Sequence, residues 1–472
     1  QNDRENVGPC FCVALCVLLA FTHINAARIL GVFPFPAYSH YQLGDTIFKK
    51  LAERGHEITV VSPFEQETPF RNFRQVVTDG IFEKAAEMRN SLFNILEYNI
   101  VEKIIWIDTL GLNFTKFALE SSNVQNFLKE NNKFDLVIIN HFSNDALSGF
   151  CFHFKAPCVA VSSVSTPNWF SDKVGLSAPP SYAPQLLLSY SSDMNLWQRL
   201  YNTIVYVIVD LSLKFYRYPN QNVLLQKHFP GAPHLDDLYY NVSLVLFNGH
   251  VSVSDVLPLL PNTIDIAGYH VHPPKKLPED LQRHLDNATN GVIYFSMGSN
   301  LKSKDFSIDK RNAILHVFSK LKQKVLWKFE EDLPNKPNNV IIRTWFPQQD
   351  VLAHPNVVLF ITHGGILSTI EAVYHGIPML GIPVFGDQTF NVAKVQNDGY
   401  GRYIHYKELN ENNLSNELEE LLSNPSYSNN AKKRSRIMHD QPVPPLDKAI
   451  FWIEYVLRHK GAPHLRSSAL AL

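Results

Sequence analysis

Residues 362–373 read THGGILSTIEAV, and they crowd a histidine, two glycines, a serine and a glutamate into one turn and the helix after it. The apolar run NVVLFIT leads in, and helical spacing begins at Ile366, Ile370 and Val373. A strand that ends in Thr-His-Gly-Gly and feeds a helix presents unpaired backbone N–H groups and the positive end of the helix dipole. Such an entrance binds anions, and glycines let a phosphate approach the backbone. Ser368 adds a hydroxyl in the first turn. Glu371 repels phosphate but accepts hydrogen bonds from a sugar diol, so phosphates at His363 and Gly365 with a ribose at Glu371 describe a nucleoside diphosphate. On these residues alone, a plain helix N-cap with an incidental histidine is the alternative.

A second histidine carries different chemistry. In FPFPAYSHYQ (33–42), His40 stands just beyond a first apolar strand, at the start of a helix. An imidazole there can take a proton from an acceptor hydroxyl; a helix-capping histidine is the alternative. His270 and His272, in YHVHPP, have strand-like i, i+2 spacing without a third ligand, so no metal site is expected. The chain has no Walker A loop and no G-x-G-x-x-G, since Gly399-Tyr400-Gly401 lacks the rest of that pattern.

Elements must hold these groups. From residue 28, RILGVFP reads as a strand, HYQLGDTIFKKLAERGH as an amphipathic helix closed by Gly55, and EITVVSP as the next strand. FDLVIIN (134–140) and APCVAVSS (156–163) are buried-type strands flanking a helical stretch. A second set starts at GVIYFSMGS (291–299) and continues through KVLWKF, NVIIRTW, VVLFITH and PMLGIPV. Alternation of this kind predicts two parallel α/β sheets wound on both faces, with a ligand cleft at the strands' C-terminal ends. The boundaries expected are 27–264 for an N-terminal domain, 265–285 for a Pro-rich linker, 286–446 for a C-terminal domain, and 447–472 for a last helix crossing back and a tail. Residues 165–230, rich in Pro, Ser, Tyr and Trp, read either as the wall of an apolar pocket or as a structural helix pair.

FITHGGILSTIEAVYHGIPMLGIPVFGDQ (360–388) resembles the signature of the UDP-glycosyltransferase family, at His363, Gly365, Ser368, Glu371, Pro378, Pro383, Asp387 and Gln388. The upstream TWFPQQDVLAHP (344–355) is similar to that family's uridine-binding segment, and the likeness runs over nearly the whole chain, most of all to the insect branch. The resemblance implies a GT-B fold, two Rossmann-like domains facing across a cleft, and inverting transfer of a hexose, glucose in this branch, from a UDP-sugar to a small lipophilic hydroxyl compound. It also implies roles: Trp345 stacking on uracil, Phe346 and Gln348 reading base and ribose, and His363, Ser368 and the Gly298–Ser299 turn holding the diphosphate. Glu371 would take the ribose hydroxyls, and Asp387 and Gln388 the sugar's. His40 would be the catalytic base, with no cofactor or metal required. Two departures stand out. Leu367 occupies a position where relatives carry Asn, and Asn140 stands where many place the aspartate that orients the base. Asp145 is the nearest carboxylate and is expected to partner His40, with an N-cap role as the alternative. A UDP-sugar-binding protein without activity and a sugar-nucleotide epimerase are the rival readings.

At 472 residues the chain fits two domains of about 200 residues each. Its 45% hydrophobic content and net charge of −1 describe a packed globular protein with no pull toward nucleic acid. CFCVALCVLLAFT (10–22), followed by Ala26 and Ala27, has the layout of a signal peptide over residues 1–26, which with sequons at Asn113, Asn241, Asn287 and Asn413 points to the endoplasmic reticulum lumen. The family resemblance implies a membrane helix near the C-terminus; none precedes Leu472, so the chain is expected to be soluble if complete. Cys151 and Cys158, the two cysteines beyond the putative signal, are expected as buried thiols, with pairing as the alternative.

Overall fold

The computed structural model describes residues 26–66, 71–89, 92–166 and 171–471. The expected signal segment lies outside them, apart from Ala26. Two all-parallel sheets organise the chain. The first has seven strands in the order β3-β2-β1-β4-β5-β6-β7. Its members are β1 (Arg28–Val32), β2 (Glu57–Ser62), β3 (Phe73–Val77), β4 (Leu136–His141), β5 (Cys158–Ser162), β6 (Val242–Phe247) and β7 (Thr263–Asp265). The second has six, in the order β10-β9-β8-β11-β12-β13. These are β8 (Val292–Ser296), β9 (Lys324–Lys328), β10 (Val340–Arg343), β11 (Val357–Thr362), β12 (Met379–Gly381) and β13 (Gly401–Tyr403). The central strands β4, β5, β6 and β8 are buried at every position, as strands covered on both faces must be.

Strand order reverses between β1 and β4 in one sheet and between β8 and β11 in the other. At such a switch point the flanking crossovers run to opposite faces and leave a crevice beyond the strand ends. His40 follows β1 and Asn140 lies in β4; Ser299 follows β8 and His363 follows β11. Both candidate chemistries therefore sit where the topology opens a crevice.

Helices supply the walls. α1 (Tyr38–Glu53) buries Tyr41, Leu43, Ile47, Phe48 and Leu51 on one stripe and carries His40 in its first turn. α2 (Ile100–Glu120) starts with a capping box, Asn99 accepting from the Glu102 amide while Glu102 accepts from the Asn99 amide. Residues 165–230 contain α3 (Leu196–Ser212), whose inner side packs Val205 and Ile208 on Ile104 and Leu188. Its outer side leaves Trp197, Leu200, Ile204 and Leu211 exposed.

The last helix, labelled α6 below, spans Pro445–Arg458. It packs Ala449, Ile450, Ile453 and Val456 into the core of the first sheet, with Leu244, Ile29 and Leu51. Buried Glu454 seals that contact by accepting from Arg54 at 2.5 and 3.0 Å. Segment 266–278 joins the two sheets and is pinned to the second: Gln349 Nε2 donates to the His270 carbonyl, and Gln349 Oε1 accepts from the His272 amide.

Cys151 and Cys158 are disulfide-bonded, which corrects the expectation of free thiols. Lys155 adopts a left-handed conformation at the end of the short helix Gly149–Phe154, and the chain folds straight back into β5. That turn brings the two Cα atoms to 5.7 Å, inside the range a disulfide spans.

Candidate active site

One cavity of about 360 Å³ lies between the two sheets' C-terminal ends, with walls from both halves of the chain. The first half contributes Phe35, Trp106, Leu110, Phe114, Phe142 and Leu187 around His40, an apolar chamber with one imidazole in it. The second contributes Ser299, Trp345, Phe346, Gln348, His363, Gly365, Ser368, Glu371, Asp387 and Gln388. Every residue expected to hold the nucleotide sugar is therefore brought to one cavity together with His40.

α4 (Ile366–His375) begins where β11 ends, with Gly365 at its N-cap and no side chain capping it. Its first N–H groups thus face the cavity unsatisfied by the protein, next to Ser368. The glycines are there to make room for His363. A Cβ on Gly298 would lie 2.7 Å from the ring and one on Gly365 2.5 Å from Nε2, and Gly364 needs a positive φ of 83°. Burial, with the charge of Lys328 added, pulls His363 down to about 4, so the ring is neutral at physiological pH. Thr362 Oγ1 lies 3.4 Å from Nδ1 and itself accepts from the Gly364 amide. A neutral imidazole keeps one N–H, so the ring remains a hydrogen-bond donor in the cavity.

Glu371 is buried and held by two glutamines, Gln348 Nε2 at 2.6 Å and Gln349 Nε2 at 3.0 Å. Gln348 also donates to Ser368 Oγ at 3.1 Å, so the phosphate and ribose candidates share one bridge. Trp345 is 55% exposed and meets Tyr38 of the opposite half edge-on, with ring centroids 5.9 Å apart. Asp387 stands at the start of α5 (Gln388–Asn397); burial raises its pKa to about 6 against the opposing hydrogen bond from Asn391. Gln388 Oε1 accepts from the amides of Val384 and Phe385 and so fixes the GIPVFGD loop along the cavity.

His40 departs from expectation in its partner. Nδ1 lies 2.9 Å from Asn140 Oδ1, while Asn140 Nδ2 points to the Val161 carbonyl at 3.4 Å. The amide's orientation makes Oδ1 the acceptor, so Nδ1 carries the proton and Nε2 keeps its lone pair. Burial lowers His40 to about 4, against the smaller upward effect of the Asn140 bond. Asp145 is corrected: it does not reach His40. It is fully buried and accepts from Arg217 Nε at 2.6 Å, Lys173 Nζ at 2.7 Å and the Tyr239 hydroxyl. Although burial alone would raise it, Arg217 and Lys173 hold its carboxyl well below the usual range. Asn144, not Asp145, takes the N-cap position of the turn Asp145–Ser148. His270 is buried with Nε2 3.5 Å from Glu371 Oε1, whereas His272 lines the cavity. Among the described residues no group of three or more His, Cys, Asp or Glu is arranged to hold a metal.

The family model for UDP-glucoronosyl and UDP-glucosyl transferase matches residues 29–472. The chain belongs to that family. It is a UDP-glycosyltransferase, and its two parallel-sheet domains form the GT-B fold. It is 36% identical to UDP-glycosyltransferase UGT5 of Dactylopius coccus, over 94% of this chain and 85% of that protein. Likewise it is 33% identical to the human 2-hydroxyacylsphingosine 1-beta-galactosyltransferase, over 94% and 82%. Among solved structures it resembles the glycotransferase of kitacinnamycin, with a TM-score of 0.61 at 16% identity, covering 91% of this chain and 99% of that one.

Three residues escaped the sequence reading. Asn140 reads in the sequence as a missing aspartate, although a side-chain carbonyl also accepts from an imidazole. Gln349 sits beside Gln348 in an obvious motif but reaches Glu371 from the other side. Lys328 is the last residue of β9 within KVLWKF, and a lysine closing a buried strand is itself a signal.

Proposed function

We propose that the protein transfers glucose, with inversion, from UDP-glucose to a hydroxyl of a small lipophilic molecule. The carrying observation is the shared cavity, in which His40 in an apolar chamber faces the uncapped α4 entrance. In this reading the acceptor hydroxyl gives its proton to His40 Nε2 as its oxygen attacks the anomeric carbon. The bond from that carbon to the diphosphate oxygen breaks on the opposite face, and UDP leaves with the electron pair. The α4 amides, Ser368 and the His363 ring N–H stabilise the departing charge. Glu371 takes the ribose hydroxyls, Trp345 the uracil face, and Asp387 with Gln388 the hexose hydroxyls. Asp387 favours a neutral hexose, because its carboxylate would repel a uronate.

The test is incubation with labelled UDP-glucose, UDP-galactose or UDP-glucuronate and a panel of phenols and steroids. A β-glucoside is the expected product; a uronide alone would overturn the sugar assignment, and an α-glycoside the inversion. Epimerised donor would support the epimerase. The inactive-binder reading draws on one observation, the uncharged Asn140 behind His40, and tight UDP binding without any conjugate would establish it. His40→Ala is expected to cut turnover by about 10² to 10⁴-fold while UDP affinity, measured by calorimetry, stays as in the wild type. The Cys151–Cys158 disulfide and the apolar run at 10–22 support a secretory, oxidising compartment.

A further inference from the structure

A sugar nucleotide brings two negative charges to the cavity, and more negative charge develops on the diphosphate as the sugar leaves. The groups described so far meet it with neutral donors: helix amides, a serine, and a histidine that is uncharged at physiological pH. Among the described residues that line the cavity, one is a lysine or arginine, and that is Lys328. Resting on the reading of the cavity as a UDP-sugar site, we propose that Lys328 is a diphosphate ligand that exchanges its carboxylate partner, Glu330, for the phosphates when the nucleotide binds.

Topology places it for that role. Lys328 is the last residue of β9, which pairs with β8 along the sheet, and β8 leads into the Gly298–Ser299 turn packed against His363. The side chain is only 8% exposed. It is held by Glu330 Oε1 at 2.7 Å, and Nζ lies 5.7 Å from the centre of the Trp345 ring. A buried cation with a single short ion pair, beside the surface where the base would stack, is already desolvated for a second anion. Glu330 has a fixed place of its own, because Oε2 accepts from the Lys304 amide at 3.3 Å. Lys328 can therefore swing away without collapsing its partner, and its flexible four-carbon stem suits that movement better than a planar guanidinium would. Its field is also felt at the phosphate-side histidine, since the charge of Lys328 adds to burial in lowering His363.

Calorimetry on the full chain with UDP and with uridine separates a phosphate contact from a base contact or a folding defect. Lys328→Met is expected to weaken UDP by about 10 to 100-fold, the range of a charged hydrogen bond, while uridine binds as before. Lys328→Arg should keep most of the UDP affinity. Glu330→Gln, which removes the competing anion, should tighten UDP severalfold. Unchanged UDP binding in Lys328→Met, or equal losses of UDP and uridine, would overturn the proposal; unchanged UDP binding in Glu330→Gln would overturn the exchange. A wild-type protein that fails to bind UDP would instead sink the reading of the cavity.

Discussion

At the residue scale, the point of interest is that the proposed catalytic base is backed by an amide. A carboxylate behind an imidazole stabilises the protonated ring and raises its pKa; Asn140 orients His40 in the same tautomer without adding charge. Burial then dominates and takes the ring to about 4. Asn140→Asp is therefore expected to move the acid limb of the kcat profile upward by a unit or more and to raise the rate at alkaline pH. A profile identical to the wild type would mean that His40 is not the base. The sequence singles out His40, which lines the cavity, but pairs it with Asp145 rather than Asn140, because distance along the chain is a poor guide across a strand end. Asp145 turns away at Asn144 and meets Arg217, 72 residues later, a contact no spacing rule anticipates.

At the element scale, the turn after β11 works because two glycines give up their side-chain space to one histidine. Gly365→Ala would drive a methyl group into the His363 ring, so UDP affinity should fall by 10-fold or more with little change in melting temperature. Retention of full affinity would show that the ring does not touch the phosphates. The buried cluster around Asp145 acts on elements too. It ties the end of β4 to Lys173 and to Arg217, with Asp108 3.6 Å from the same guanidinium. Asp145→Ala leaves two buried cations short of a partner and should cost about 3–5 kcal/mol of stability, read as a large drop in melting temperature. The strands were legible in the sequence because fully buried parallel strands are continuous apolar runs flanked by turn residues. The walls of the apolar chamber were not, since Phe35 and Phe142 follow strands, Trp106 and Phe114 come from α2 and Leu187 from a distant turn, and they share no motif.

For the whole molecule, pH dependence follows from buried groups of opposite sign. His40, His141, His363 and His375 are each lowered to about 4, mainly by burial, from an ordinary 6.5. As pH falls from 6.5 toward 4, the unfolded chain binds protons at these sites that the folded one refuses, so stability is lost. Asp265 and Asp387, raised by burial to about 6, act the other way over the same range. Four histidines outweigh two aspartates, and the net loss between pH 7 and pH 5 should be on the order of a few kcal/mol. A melting temperature that rises on acidification to pH 5 would contradict this.

The two-domain plan was readable because the alternation of strand and helix restarts after a Pro-rich stretch. How the chain's end ties the domains together was not spelled out by any motif. α6 follows the second sheet in sequence but is built into the core of the first. The polypeptide consequently crosses the cleft twice, once through 266–278 and once on its way to α6. Cutting the first crossing with a protease would yield two fragments that still co-elute, because the smaller, C-terminal one carries part of its neighbour's interior. By the same geometry, neither half is a separable cassette: exchanging domains between relatives requires the last helix to travel with the first sheet.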